Sequence, residues 1–159
     1  IVLPTELGNT KNFIESLKKN FKHVTFEASR LEDIISGSGI SKIYETLTQD
    51  KLSAEEIFKK FLDKEPDALF VINGFIKSLS QTLSDLALSF LPGKGILLAG
   101  SLSRSIYTHF NEQNFFKPFI NNNTGMHFDI LKNTPIGVIT KERTPLYGNL
   151  AFYKNLNKI

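Results

Sequence analysis

Apolar residues recur at helical spacing along most of the chain. Phe13, Ile14, Leu17 and Phe21 share one face of a helix entered at Thr10, with Lys18 and Lys19 opposite. Ser29 as cap and Glu32 in the first turn predict a short helix over "SRLEDII", and the loop Ser36–Gly39 is expected to end it. Ile40, Ile43, Tyr44 and Leu47 line the next helix. Ser53 and Glu56 have the spacing of a capping box and start another. From Pro66, suited to a first helical position, the stripe Leu69, Ile72, Phe75, Ile76, Leu79, Leu83, Leu86 and Phe90 predicts one long helix stopped by Pro92-Gly93. Helical patterns also follow Ser101, to about Phe110, and begin near Thr144 or Pro145 at the end of the chain. Between them "NEQNFFKPFINNNTG" reads as a short helical piece and an Asn-rich loop.

Strand patterns are fewer. Ile1–Leu3 read as a short buried strand closed by Pro4, and His23–Phe26 as a short strand or extended segment. Ile96–Leu98 are an unbroken apolar run, which predicts a strand buried on both faces, and Pro135–Thr140 read as a second buried strand. A helical crossover lies between these last two, so a parallel pair is expected within an α/β fold. No internal repeat interrupts the pattern.

Length and composition narrow the class. The 159 residues suit one domain, two at most, and 41% hydrophobic content with 14 Phe is ample for a core. The net charge of +3 is too weak to argue for nucleic acid. No apolar run reaches the length of a membrane span or a signal segment. The absence of Cys removes disulfides, thiolate metal sites and thiol nucleophiles, and fits a cytoplasmic protein. His23, His109 and His127 lie too far apart for a short metal-ligand motif, so no metal site is expected from the residues.

Three stretches have the makings of a site. In "TELGN", Glu6 follows a buried strand and Gly8 permits close backbone approach; the carboxylate suits a polyol, and equally a helix-entry turn. In "EDIISGSG", two carboxylates precede a Gly-rich loop that lacks the spacing and Lys of a phosphate-binding loop and fits a helix exit as well. In "LLAGSLS", a strand, two small residues and a helix start suit the approach of a nucleotide or any tight strand–helix turn.

Taken in order, these pieces resemble the C-terminal part of bacterial glucokinases. The family's "LPGEGGH" turn corresponds to "LPTELGN", its "ERVLSGPGL" to "EDIISGSGI", and its "GNLAL" helix to the end of "SDLALSFLPG". Its "GGVFLAGGI" turn corresponds to "GKGILLAGSL", its "IPVYLI" strand to "TPIGVI", and its "PGLLGAA" helix to "TPLYGNLA". Six matches at compatible spacing cover nearly the whole chain.

The resemblance implies a ribonuclease H-like sugar-kinase fold, of which residues 1–159 form the larger, helix-rich domain with a mixed sheet and 145–159 the closing helix. It implies ATP-dependent conversion of glucose to glucose 6-phosphate in glycolysis, with magnesium on the nucleotide. Glu6 and Glu32 then correspond to the sugar-binding carboxylates, with Glu27 the less favoured alternative to Glu32. Asn9 stands where the family has a sugar-contacting His. Ala99, Gly100 and Ser101 correspond to the nucleotide turn, with Ser101 replacing a Gly. The family's phosphate-binding "D-x-G-G-T" turn and catalytic "N-D" pair do not occur in this sequence. No catalytic residue is therefore expected within it, and the chain alone is expected to be inactive. The replacements at positions 9 and 101 favour a competing expectation, a non-catalytic sugar-binding or dimerisation module. A homodimer through this domain is compatible with both expectations. Leu146, Leu150 and Phe152 are expected to be partly exposed.

Overall fold

The computed structural model describes residues 10–120 and 124–156. The predicted strand at Ile1–Leu3 lies outside them. The described chain is a helix-rich α/β body with a small parallel sheet.

At its centre is a helix of 25 residues, Pro66–Phe90. Pro66 occupies the first turn, where its missing N–H is not needed, and the Glu65 carboxylate accepts from the backbone N–H of Ala68 at 2.8 Å. The helix ends where Leu91 turns left-handed (φ 46°) and returns its N–H to the carbonyl of Ala87. Two helices, α2 (Gly37–Thr48) and α3 (Ala54–Leu62), pack against it, and α1 (Thr10–Lys18) joins it through the 3-10 turn Lys19–Phe21, which makes the central helix α4. Phe21, in a single 3-10 turn after α1, lies directly on Gly74, where a Cβ would come within 2.6 Å of the ring. Glycine at that point lets the two elements touch backbone to ring.

Three buried hydroxyls in the second half of α4 are paired. Ser78 donates to the carbonyl of Gly74 and receives a bond from Asn20, Thr82 donates to the carbonyl of Ser78, and Ser80 donates to that of Phe115. The last bond ties down a π-helical turn, Glu112–Phe116, whose buried Asn114 bonds Asn73 and the carbonyl of His109, both at 3.0 Å. Among the described residues no buried side-chain polar atom lacks a partner.

The sheet consists of β1 (Ile96–Leu98) and β2 (Ile136–Val138), parallel and in register Ile96↔Ile136, Leu97↔Gly137, Leu98↔Val138. The crossover between them holds the short helix α5 (Ser101–Ile106), the π turn, α6 (Lys117–Ile120) and α7 (Gly125–Lys132). Gly95 precedes β1 at φ +90°, and a Cβ there would sit 2.3 Å from the carbonyl oxygen of Pro135, so the strands meet only because this residue is glycine. The chain ends in α8 (Thr144–Leu156), in which every residue from Leu146 onward is exposed.

Several local expectations change. The sheet is purely parallel among the described residues rather than mixed. Its strands are half-buried rather than covered on both faces: Leu97 is 70% exposed, because a two-stranded ribbon leaves one face open there. Of the two alternatives for His23–Phe26, a strand or an extended segment, no strand forms. "SRLEDII" makes only a 3-10 turn, Leu31–Asp33, and the residue that closes it is Asp33 rather than Ser29. The Asp33 carboxylate accepts from the backbone N–H groups of Ser29 and Arg30, both at 2.9 Å. The loop Ser36–Gly39 is not a helix exit. Ser36 caps the start of α2, its Oγ accepting from the N–H of Gly39 at 3.0 Å and donating to the carbonyl of Glu32 at 2.6 Å. The helical run from Ser101 changes to a 3-10 turn at Tyr107–His109 before Phe110.

Candidate functional site

Three chain segments distant in sequence line one cavity of about 530 Å³. Gly37, in the first turn of α2, forms one side, with Ala54, Glu55, Phe58 and Lys59 of α3 next to it. Ser101, Leu102 and Ser105 of α5 complete the lining. The capping box explains why α3 begins where it does: Glu56 accepts from the N–H and hydroxyl of Ser53, and its N–H returns to the Ser53 hydroxyl. Those bonds, chiefly from the hydroxyl, hold the Glu56 carboxyl below its usual range. Phe58 is fixed by stacking on Phe61 and by the edge of His109, with ring centroids at 5.5 and 5.6 Å. The cavity therefore has an apolar wall (Phe58, Leu102, Ala54), glycine at one rim and hydroxyls at the other. Its volume falls in the range of small-molecule sites.

A second cavity, of about 290 Å³, adjoins the first through Ser101. It lies at the C-terminal ends of both strands and is lined by Ala99, Gly100, Ser101 and Arg104 on one side and by Ile139, Lys141, Arg143 and Thr144 on the other. The N–H of Ile139 bonds the carbonyl of Leu98 at 2.8 Å and closes the sheet at this end. Loops beyond the carboxyl ends of parallel strands are the usual place for ligands in open α/β sheets.

The residues singled out from the sequence fall as follows. Ala99, Gly100 and Ser101 are exposed in the turn after β1 and line the second cavity, and Ser101 lines both. Glu32 is exposed in the 3-10 turn, 4.0 Å from the Arg30 guanidinium, and lines neither cavity. Its neighbour Asp33 is held below the usual carboxylate range, first by the Ser29 N–H, then by the Arg30 N–H and charge. Glu27 lies beside a shallow depression with Lys18, Arg30, Asp33 and Lys42, its carbonyl accepting from Lys42 at 3.3 Å. Glu6 and Asn9 lie outside the described residues. The structure thus brings the "SGSG" and "AGS" segments to one cavity. It adds Phe58, Lys59, Arg104, Lys141 and Arg143, which no local pattern marks out.

Among the described residues no group of three His, Asp or Glu could cage a metal ion, and no helix is long and apolar enough to cross a membrane. Magnesium in nucleotide sites is usually held through phosphates, water and one or two carboxylates, so a dedicated protein cage is not its expected signature.

Comparison with known proteins gives two matches. A family model described as Glucokinase matches residues 3–156. A protein of Mesorhizobium japonicum (strain LMG 29417 / CECT 9101 / MAFF 303099) named "Glucokinase" is 27% identical over 144 residues, which are 85% of this chain and 42% of that relative. The chain thus spans less than half the length of the relative it matches.

Proposed function

The chain belongs to the glucokinase family, and from that premise we propose that it is the larger, C-terminal domain of an ATP-dependent glucokinase with a ribonuclease H-like fold. The observation that supports this reading best is that Gly37 of "SGSG" and Ser101 of "AGS", more than sixty residues apart in sequence, line one cavity. In this reading Ala99, Gly100 and Ser101 border the nucleotide, and Glu6, Asn9 and Glu32 contact glucose. An ionised Glu accepts two adjacent sugar hydroxyls and orients the ring; Asn9 both donates and accepts there but adds no charge.

The sugar 6-hydroxyl attacks the γ-phosphorus, ADP leaves, and the hydroxyl proton passes to a carboxylate contributed by residues outside these 159. Magnesium bound with ATP would supply neutralisation of the phosphate charge. The work of this chain is to bind and orient, so by itself it is inactive, and the full-length protein makes glucose 6-phosphate in the cytoplasm as the entry to glycolysis.

The test is an assay of the full-length protein with glucose and ATP, alongside Glu32→Ala. Losing a charged hydrogen bond costs about 1.5–3 kcal/mol, so glucose affinity should fall at least about tenfold with thermal stability unchanged. Unchanged affinity would remove Glu32 from the sugar site. Glucose binding without turnover in the unaltered protein would favour the second reading, a non-catalytic sugar-binding or dimerisation module, which the replacements at Asn9 and Ser101 motivate.

A further inference from the structure

We propose that Arg104, Lys141 and Arg143 hold the phosphate chain of a nucleotide whose base and ribose lie in the adjoining apolar cavity. The anion site stands on the geometry below; the identity of its carrier rests on the nucleotide reading above.

Among the described residues, three cationic residues and no carboxylate line the cavity at the strand ends. Like charges gathered around one small space repel one another, and a protein ordinarily relieves this with an acidic partner. None is supplied here: among the described residues neither Arg104 nor Arg143 is in an ion pair, and the Lys141 ammonium rests 4.1 Å from the Tyr147 ring centroid. An anion of high charge density would relieve that repulsion, and guanidinium groups bind phosphate in a two-pronged geometry that a carboxylate-free cavity leaves open.

The backbone fixes two of the cations. Arg143 sits in the left-handed region at φ 58°, its carbonyl accepting from the N–H groups of Leu146 and Tyr147 as the chain enters α8. Thr144 donates to the carbonyl of Lys141 at 2.7 Å and closes the same turn. Arg104 reaches the same cavity from α5, its N–H bonded to the carbonyl of Gly100.

Shape selects the kind of anion. The cationic cavity meets the larger one at Ser101, and the larger one presents Phe58 and Leu102. A ligand with a flat apolar ring at one end and several phosphates at the other fills both across that shared residue. An isolated inorganic ion uses only the smaller cavity.

Calorimetric titration of the full chain with tripolyphosphate, ATP and adenosine tests this, using Arg104→Gln and Arg143→Gln, with Lys22→Gln as a control for net charge. Circular dichroism checks that each variant is folded. Tripolyphosphate should bind the unaltered chain more weakly as salt rises. Each Arg variant should lose about tenfold or more in tripolyphosphate affinity, and the Lys22 variant none. No binding of tripolyphosphate, or equal binding by all variants, overturns the anion site. If tripolyphosphate binding depends on the two Arg but ATP binds no tighter and adenosine does not bind, the anion site stands and the nucleotide reading fails. If ATP outbinds adenosine by the same factor in every variant, the nucleotide reading stands and the role of the three cations is overturned.

Discussion

Gly39 packs where the Asp33 backbone leaves no room for a side chain. A Cβ on Gly39 would lie 2.7 Å from the Asp33 carbonyl oxygen and 3.0 Å from that of Ile34, and neither is a side chain that can swing away. Gly37, two residues earlier, would meet only the Ala54 methyl, at an ordinary 3.6 Å. The two glycines of one loop thus have different reasons to be there: the second lets the Leu31–Asp33 turn sit on the start of α2. Gly39→Ala should cost about 1–3 kcal/mol by overpacking and lower the midpoint of thermal unfolding by several degrees. Gly37→Ala should leave the midpoint nearly unchanged. Equal midpoints for both variants would show that the turn shifts freely. The sequence marks this loop as special but leaves its direction open. Ser-Gly suits the end of one helix and the beginning of the next, and the choice is made by the Ser36 hydroxyl bonding forward to Gly39 and back to Glu32.

Elements with long, regular patterns are legible in the sequence. The stripe from Leu69 to Phe90 and its Pro entry specify α4 almost to the residue. The 53–56 box does the same for the start of α3. Short elements are less legible because their state depends on what covers them. The apolar run Ile96–Leu98 carries the signature of a doubly covered strand, yet Leu97 faces outward opposite Gly137, whose missing side chain leaves room for it. The Glu112–Phe116 turn carries no periodicity, and its shape is set by Asn114. That one amide reaches Asn73 on α4 and the carbonyl of His109, while its oxygen accepts from the N–H of Asn111 at 2.9 Å. Asn114→Ala removes three hydrogen bonds to partly buried partners and should cost about 1–3 kcal/mol. Amide exchange should speed up selectively around residues 111–116. Loss of protection spread evenly over the chain would mean that Asn114 supports the global fold instead. The cationic cavity illustrates the same limit at the site: Arg104 and the pair Lys141 and Arg143 belong to separate segments, and only the pairing of the strands before them brings them to one cavity.

At the scale of the molecule, the outer surface of α8 is the least satisfied. Leu146, Tyr147, Leu150, Phe152, Tyr153 and Leu156 are each between 49 and 68% exposed. Apolar area of that extent on one helix favours association. Light scattering of the isolated chain should show an apparent mass that rises with concentration, and Leu146→Glu with Phe152→Glu should suppress the rise. A constant monomer mass for the unaltered chain would contradict it. The sheet imposes a different constraint, one of time. Its two strands are neighbours only after the whole of 99–135 has been threaded between them, whereas α4 meets α2 and α3 across much shorter stretches of chain. Bringing distant segments together costs loop entropy before any contact repays it, so the helical body should assemble first and the strand pair dock last. In stopped-flow measurements Ile136→Val should then speed unfolding and leave the refolding rate unchanged, and slower refolding would place the pair in the folding nucleus. The last joint to close is also the one that brings Arg104 and Arg143 to one cavity, so a chain still emerging from synthesis has no cationic cavity to offer until its final turn is in place.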